Sequence, residues 1–265
     1  MPHTQHCPTC YLAADVLDLA ERRQSFSPRL MQRTTLKQWM PAFEFGRQRD
    51  STEFLRMLLQ SCDELDKNEA EKRIIVATIQ SAFTTPLWQI FGFREVSTVS
   101  CTACGHRIRN PVMSQSLELP PGDVHNITLE KALDLYFDSE VVDDYRCEGQ
   151  RCGVTGFCNK QLSIDTWPRT LIVSLKLFHR RGANYVKLDR ELQFPMTLRY
   201  KDSPEYTLKS FIVHTGTATV GHYTAYTRSP DNKWYFHNDS DTPKLVSTRT
   251  VQSTNPYCLL YEQEI

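Results

Sequence analysis

The sequence lacks an excess of charge of either sign. Its 265 residues include 31 Lys or Arg and 31 Asp or Glu, so the formal net charge is zero. Nucleic acid and anionic lipid attract proteins with a surplus of positive charge, and this chain gives no reason to expect either partner. No apolar run approaches the roughly 18 residues of a membrane span, and residues 1–10 contain no signal-peptide apolar segment. We therefore expect a protein of the cytoplasm or nucleus that binds no membrane.

The sequence also lacks the even set of cysteines that is typical of a disulfide framework. Its nine cysteines are spread over the chain without a secretion signal, a pattern that favours thiol or metal chemistry. Internal repeats and low-complexity linkers are absent as well. With 40% hydrophobic residues, the chain is long enough to bury a core of its own, as one large domain or two small ones.

What the sequence does contain is a single change of periodicity. Residues 9 to about 95 have helical spacing, whereas short β-rich runs dominate from Val96 onward. A further helix is predicted at Leu129–Phe137, after the N-cap candidate Thr128. The pattern predicts an α+β fold in which a helical part precedes a mostly antiparallel sheet. Outside the C-terminal hairpin, the predicted strands are Val96–Val99, Gln161–Ile164, Leu171–Phe178 and Thr207–His214.

A β-hairpin near the C-terminus carries the first candidate site. Residues 221–228 alternate in character, residues 230–232 have turn chemistry, and residues 233–237 are aromatic and extended. Pairing of the two strands can bring His222 opposite Asn238, whose amide can orient an imidazole that acts as a general base. Asp239 qualifies for the same role. The alternative is an ordinary strand histidine followed by an ordinary turn.

Two cysteine pairs form a second candidate site. Cys101 and Cys104 stand at a predicted strand end before a glycine turn, so their thiolates can point at one metal ion. Cys147 and Cys152 could complete a tetrahedral zinc site, although their spacing is looser than usual. Cys158 could replace one of them. The alternative is a set of reduced thiols without metal, and Cys7-Pro8-Thr9-Cys10 is a further Cys-x2-Cys motif.

Several segments in a fixed order resemble the ubiquitin-specific protease family, the papain-like cysteine deubiquitinases. The resemblance covers roughly residues 27–262 and is specific because the boxes occur in sequence. The matching segments are Gln48-Arg49-Asp50-Ser51-Thr52-Glu53-Phe54-Leu55, the two cysteine pairs, Leu175-Lys176-Leu177-Phe178, Gly221-His222-Tyr223, Trp234-Tyr235-Phe236-His237-Asn238-Asp239-Ser240 and Tyr257-Cys258-Leu259-Leu260-Tyr261.

The resemblance implies a fold, a reaction and a partner. The fold would be a papain-like cysteine peptidase fold with a helical thumb, an antiparallel β palm and zinc-tipped fingers. Residues 1–265 would form one catalytic domain, with the thumb in residues 1–95 and the fingers and palm in residues 96–265. The activity would be hydrolysis of isopeptide or peptide bonds after the C-terminal glycine of ubiquitin. The partners would be ubiquitin or ubiquitinated proteins, and the chain would act as a monomer.

The resemblance also implies roles for particular residues. His222 would be the catalytic imidazole, oriented by Asn238 or Asp239. Structural zinc would bind the four paired cysteines, with no catalytic cofactor, because four thiolates leave no open coordination position. Gln48 and Asp50 would contact the ubiquitin tail, and Gly221 and Tyr223 would border the channel that holds it. The full set of expected substrate-binding residues is Gln48, Asp50, Glu53, Gly221 and Tyr223. The alternative for the carboxylates is that they stabilise a helix N-terminus.

The candidate nucleophile is Cys10. Cys10, in Thr9-Cys10-Tyr11-Leu12, matches only the last part of the family's Cys box. Thr9 could cap a helix, which would place Cys10 in the first turn, where the helix dipole favours a thiolate. However, Pro8 stands where the family has Asn, and Gln5 holds the place of the Asn that would stabilise the oxyanion. Two alternatives stay open: the chain is truncated downstream of the true Cys box, or it is a catalytically inactive ubiquitin-binding relative.

Overall fold

The computed structural model describes residues 49–71, 86–120, 126–150, 152–182 and 184–264, with side chains described from residue 49 to 61 in the first range and from residue 87 in the second. Most of the predicted helical part, including Cys10 and Gln48, lies outside these residues. The helices of the described part are α1 (Ser51–Glu71), α2 (Pro86–Phe91), α3 (Leu129–Phe137) and α4 (Thr248–Gln252). None of these helices is both long enough and apolar enough to cross a membrane.

The described strands follow the chain from Phe93 onward, close to the predicted change at Val96. They are β1 (Phe93–Cys101), β2 (Arg107–Ser114), β3 (Leu117–Leu119), β4 (Asn126–Thr128), β5 (Glu140–Val142), β6 (Cys158–Thr166), β7 (Thr170–Leu175), β8 (Phe178–Arg181), β9 (Asn184–Lys187), β10 (Glu191–Gln193), β11 (Thr197–Leu198), β12 (Tyr206–Gly216), β13 (Gly221–Arg228), β14 (Trp234–His237), β15 (Lys244–Val246) and β16 (Cys258–Gln263).

Helix α1 begins at a side-chain cap that also joins it to the large sheet. One carboxylate oxygen of Asp50 accepts hydrogen bonds from the backbone N–H of Thr52 at 2.7 Å and of Glu53 at 3.3 Å. These bonds satisfy donors that the first turn of a helix leaves free. The other oxygen accepts the hydroxyl of Tyr257, a buried residue just before β16. Asp50 therefore fixes the start of α1 against the sheet.

Helix α3 confirms the prediction in its position and its cap. The helix spans Leu129–Phe137, and the hydroxyl of Thr128 accepts a hydrogen bond from the Lys131 N–H at 3.3 Å. Its apolar stripe is buried, as 3.6-residue periodicity requires. The buried residues are Leu129, Ala132, Leu133 and Phe137.

Two sheets organise the described residues. A four-stranded sheet has the order β2-β1-β6-β5, and an eight-stranded sheet has the order β15-β14-β13-β12-β16-β7-β3, with β11 paired to β12. Pairing is antiparallel except between β3 and β7 and between β4 and β10. The main core packs against the large sheet, where every residue of β7 is buried. The predicted mostly antiparallel arrangement is therefore confirmed.

One predicted strand, Leu171–Phe178, is wrong at its C-terminal end. Strand β7 stops at Leu175, and Phe178 opens a separate hairpin formed by β8 and β9. The chain turns between them, because the Leu177 N–H donates to the Leu175 carbonyl at 2.9 Å. The continuous apolar run did not reveal this turn, since a run of apolar residues shows burial but not where pairing ends.

Candidate active site

His222 and Asn238 are in direct contact. The predicted hairpin is formed by β13 and β14, whose pairing ends at Ala225 and His237. Two-residue periodicity then puts His222 and Asn238 on the same face, diagonal to one another. His222 Nε2 lies 2.6 Å from Asn238 Oδ1. The sequence predicted this pairing, and the structure brings the two side chains together.

A second hydrogen bond defines which way the Asn238 amide points. Its Nδ2 donates to Asp241 Oδ2 at 3.0 Å, within a turn in which the Asp241 N–H donates to the Asn238 carbonyl at 2.9 Å. The amide oxygen is therefore the atom that faces the imidazole, and it can only accept. His222 Nε2 consequently carries the proton, which leaves the lone pair on Nδ1. Nδ1 is thus the nitrogen that can act as a base.

Asp239, the second residue proposed to orient the imidazole, lies beside this contact. Its backbone has φ of 45°, in the left-handed region that non-glycine residues seldom occupy. Its exposed side chain lines the adjacent cleft, and Asn238, not Asp239, accepts the hydrogen bond from His222 Nε2. The sequence left the choice between the two residues open, because the turn conformation that separates them is a tertiary feature.

The imidazole borders a cleft of about 690 Å³ between the N-terminus of α1 and the large sheet. Four of the five predicted substrate-binding residues line it, and the fifth, Gln48, lies outside the described residues. His222 is therefore among the residues that line this cleft. Its lining residues are Arg49, Asp50, Glu53, Phe178, Tyr185, His214, Thr217, Ala218, Thr219, Gly221, His222, Tyr223 and Asp239.

The carboxylates at the cleft make contacts within the protein. Asp50 caps α1 and accepts the hydroxyl of Tyr257, while Glu53 lies 3.9 Å from the guanidinium of Arg49. Tyr223 packs on Tyr257, with ring centroids 5.8 Å apart. The alternative proposed from the sequence, stabilisation of a helix N-terminus, therefore describes the observed contacts of Asp50.

Sequence reasoning missed His214, which lies buried beneath Gly221. Its ring centroid is 4.6 Å from that of Tyr223 and 5.2 Å from that of Phe178. Burial lowers the pKa of His214 and the Lys187 ammonium lowers it further, against a smaller opposing effect of the Asp50 carboxylate. His214 could have been found from the strand predicted at residues 207–214, because pairing of that strand with the hairpin places His214 opposite Tyr223.

Gly221 has a packing reason to be glycine. A Cβ atom at this position would lie 2.0 Å from His214 Nε2 and 2.9 Å from the Thr215 carbonyl oxygen. We expect Gly221→Ala to lower the free energy of unfolding by about 1–3 kcal/mol, because the methyl group overpacks the site. Urea denaturation measures this change.

A double-mutant cycle supplies the control for this prediction. Replacing His214 with Ala removes the imidazole atoms, which are the nearest to the added methyl group, and leaves only the contact with the Thr215 carbonyl oxygen. Gly221→Ala should therefore cost less in a His214→Ala background. Equal costs in the two backgrounds would show that the imidazole is not the cause.

The four predicted metal ligands lie close together at one end of the four-stranded sheet. Their sulfur atoms all lie within 4.8 Å of one another. Cys101 and Cys152 are separated by 3.9 Å, and Cys104 and Cys147 by 3.6 Å. Tetrahedral thiolates at a Zn–S distance of about 2.3 Å are about 3.8 Å apart, so the donor set fits a zinc-sized ion. These cysteines could hold a metal ion at one end of the four-stranded sheet.

Comparisons with known proteins agree with this geometry. The family model described as ubiquitin carboxyl-terminal hydrolase matches residues 5–261. Ubiquitin carboxyl-terminal hydrolase 2 of Gallus gallus is 29% identical over 87% of this chain and 72% of its own length. Ubiquitin carboxyl-terminal hydrolase 36 of Drosophila mojavensis is 31% identical over 98% of this chain but only 22% of its own length.

Solved structures show the same fold. The SAGA DUB module Ubp8/Sgf11/Sus1/Sgf73 bound to monoubiquitin matches with a TM-score of 0.81 at 22% identity, over 98% of this chain and 59% of that chain. The module bound to ubiquitin aldehyde matches with a TM-score of 0.75 at 22% identity, over 88% of this chain and 53% of that chain. The chain thus spans little more than half of these solved chains. With a matching family model over nearly its whole length and the fold of the Ubp8 catalytic domain, the chain belongs to the ubiquitin-specific type of the ubiquitin carboxyl-terminal hydrolase family.

Proposed function

We propose that this chain is a cysteine-type deubiquitinase that hydrolyses isopeptide or peptide bonds after the C-terminal glycine of ubiquitin. The observation that carries the proposal is the 2.6 Å contact between His222 Nε2 and Asn238 Oδ1, beside the cleft that His222 lines. A tautomer held in this way leaves Nδ1 free to take a proton from a thiol. Relatives named ubiquitin carboxyl-terminal hydrolases support the reaction class.

The proposed reaction has two stages. In the first, His222 Nδ1 accepts the thiol proton, the thiolate attacks the carbonyl carbon, and the imidazolium then protonates the departing amine. In the second, His222 accepts a proton from water, which resolves the thioester and frees the thiol. Asn238 keeps the imidazole oriented throughout, because its amide oxygen accepts from Nε2 in both the neutral and the charged state. We assign the nucleophile to Cys10, on the match of its neighbours to the end of the family's Cys box.

The cleft suits the extended C-terminal tail of ubiquitin. Residues at the start of α1 and residues of the large sheet line it, and the buried His214 ring lies against Gly221 in its wall. We propose that Gln48, Asp50 and Glu53 border the tail on the α1 side and that Gly221 and Tyr223 border it on the sheet side. Asp239, exposed beside the imidazole, would assist Asn238. Structures of the SAGA module with bound ubiquitin have the same fold.

The remaining assignments concern the whole chain. We propose that zinc binds Cys101, Cys104, Cys147 and Cys152, where it would stabilise the end of the four-stranded sheet. Residues 1–95 would form the thumb, and residues 96–265 the fingers and palm of one catalytic domain. We further propose that the chain acts as a monomer in the cytoplasm or nucleus.

A ubiquitin probe with a C-terminal electrophile tests the proposed function. The chain should become covalently labelled, and Cys10→Ala should abolish labelling while ubiquitin still binds. Labelling that persists in Cys10→Ala would show that another cysteine is the nucleophile, and peptide mapping would identify it. Binding of ubiquitin without labelling of the unsubstituted chain would support a catalytically silent binder, and failure to bind ubiquitin would contradict both functions.

Substitutions at Asn238 test how much the orientation of the His222 imidazole contributes to activity while the imidazole itself stays in place. Asn238→Ala should lower kcat/KM for a ubiquitin C-terminal amide by about 10²-fold, because the imidazole loses the acceptor that holds its tautomer. Asn238→Asp should retain most activity, since a carboxylate oxygen accepts the same hydrogen bond. Steady-state kinetics measure both.

Asp239→Ala is the matched control at the neighbouring position. It should cost less than Asn238→Ala, because Asn238 Oδ1 is the observed acceptor of the hydrogen bond from His222 Nε2. A larger loss at Asp239 would reverse the two assigned roles.

A further inference from the structure

The metal-ligand cluster contains one thiol more than a tetrahedral site uses. Cys158 begins β6, is 1% exposed, and belongs to the same small core as Cys101 and Cys147. It is the direct cross-strand partner of Cys101, which ends β1. Four thiolates complete a tetrahedral site, so the fifth sulfur lies against a ligand without being required as one.

Backbone hydrogen bonds determine what kind of pair these two cysteines form. The Cys101 N–H donates to the His106 carbonyl at 2.8 Å, away from β6, while the next residue, Thr102, donates to the Phe157 carbonyl at 2.7 Å. Cys101 and Cys158 are therefore a non-hydrogen-bonded antiparallel pair, in which Cα atoms are about 4.5 Å apart and side chains are closest. This separation falls within the range of about 4.4–6.8 Å that a disulfide spans.

We propose that Cys101 and Cys158 form an oxidation site, a cross-strand disulfide whose formation removes one ligand from the metal cluster. The oxidant would be a hydroperoxide, and the exposed Cys104 would be the thiol that reacts with it first. The oxidised state then persists as a disulfide between the two buried sulfurs. The metal is released because only three of its cysteine ligands remain.

The proposed oxidation proceeds in three balanced steps. The Cys104 thiolate attacks the hydroperoxide, which gives a sulfenic acid and an alkoxide or hydroxide. The Cys101 thiol then displaces water from that sulfenic acid and forms a Cys101–Cys104 disulfide. Finally the Cys158 thiol attacks Cys101, Cys104 leaves as a thiol, and the disulfide lies between β1 and β6. The peroxide is reduced and two thiols are oxidised.

This relay predicts different lifetimes for the two disulfides. The Cys101–Cys104 bond involves an exposed sulfur that a reductant can reach, whereas the Cys101–Cys158 bond joins residues 4% and 1% exposed. Thiol exchange requires access to a disulfide sulfur, so the buried bond is reduced slowly. Loss of the metal would weaken ubiquitin binding at the fingers, a consequence that rests on the proposed function, whereas the disulfide itself does not.

Peptide mapping tests the proposal without any activity assay. The purified metal-loaded chain is treated with hydrogen peroxide, alkylated, and digested with trypsin and chymotrypsin. Cleavage after the exposed Phe157 separates Cys152 from Cys158. The expected product links the peptide of residues 95–107 through Cys101, with Cys104 alkylated, to the peptide of residues 158–160. Fragmentation of the linked peptide distinguishes Cys101 from Cys104, and the amount of product should follow the zinc that a chromogenic chelator detects. Disulfides confined to Cys101, Cys104, Cys147 and Cys152 would overturn the proposal.

Variants add a kinetic test. After oxidation, dilute dithiothreitol should restore metal binding at least tenfold faster in Cys158→Ser than in the unsubstituted chain, because only the accessible disulfide can form. Cys258→Ser, a change at a buried cysteine outside the cluster, should recover at the unsubstituted rate. Equal rates for Cys158→Ser and the unsubstituted chain would contradict the relay. If Cys158→Ser does not fold, the peptide map of the unsubstituted chain decides alone.

Discussion

His222→Ala is expected to lower kcat for a ubiquitin C-terminal amide by about 10³- to 10⁴-fold. The imidazole both generates the thiolate and protonates the leaving amine, and no other described side chain lies within hydrogen-bond reach of Asn238 Oδ1 to replace it. Ubiquitin binding should change little, since His222 is only one of the thirteen residues that line the cleft. Steady-state kinetics and calorimetric titration with ubiquitin measure the two effects separately.

The matched control uses the other histidine of the same hairpin. His237 Nε2 lies 2.8 Å from the Thr227 hydroxyl, so it has a structural partner of its own. His237→Gln keeps a group that can make this bond, and its kcat should stay within severalfold of the unsubstituted value. A kcat in His222→Ala that matches this control would refute the role of His222 as base.

Loss of the metal cluster should have the largest effect on stability. A metal present at a thousandfold its Kd stabilises the folded state by about 4 kcal/mol. For a chain of this size, such a loss lowers Tm by about 10 °C. We expect this decrease for Cys104→Ser, together with a bound-zinc content that falls from about one per chain to near zero. Differential scanning calorimetry and elemental analysis by mass spectrometry measure the two quantities.

Cys258→Ser is the control for this prediction. It makes the same chemical change at a buried cysteine in β16, where the Ser174 hydroxyl lies 3.5 Å from the sulfur and can pair with a serine. Its zinc content should remain that of the unsubstituted chain. If the unsubstituted chain carries no zinc and Cys104→Ser leaves its Tm unchanged, the four cysteines are reduced thiols and not metal ligands, as the alternative interpretation of the sequence holds.

The hairpin and the cap of α3 illustrate how much local sequence can predict. Alternation in residues 221–228 determines which side chains share a face, and turn residues at 230–232 set the pairing, so the contact between His222 and Asn238 followed from the sequence. Thr128 and the apolar stripe after it defined α3 in the same way. The end of β7 was not predictable, because the turn at Leu177 depends on where its sheet partners end.

The amino-acid sequence contained the family boxes, the α+β order, the hairpin and the four clustered cysteines. The folded chain was needed to show that Asn238, and not Asp239, contacts the imidazole, that Asp50 is held by Tyr257, and that His214 fills the space beside Gly221. Asp50 and Tyr257 lie 207 positions apart, so their contact forms only when α1 packs on the sheet. The other two contacts are closer in the chain, but they depend on the register between β12 and β13 and on the left-handed backbone at Asp239, which periodicity does not specify.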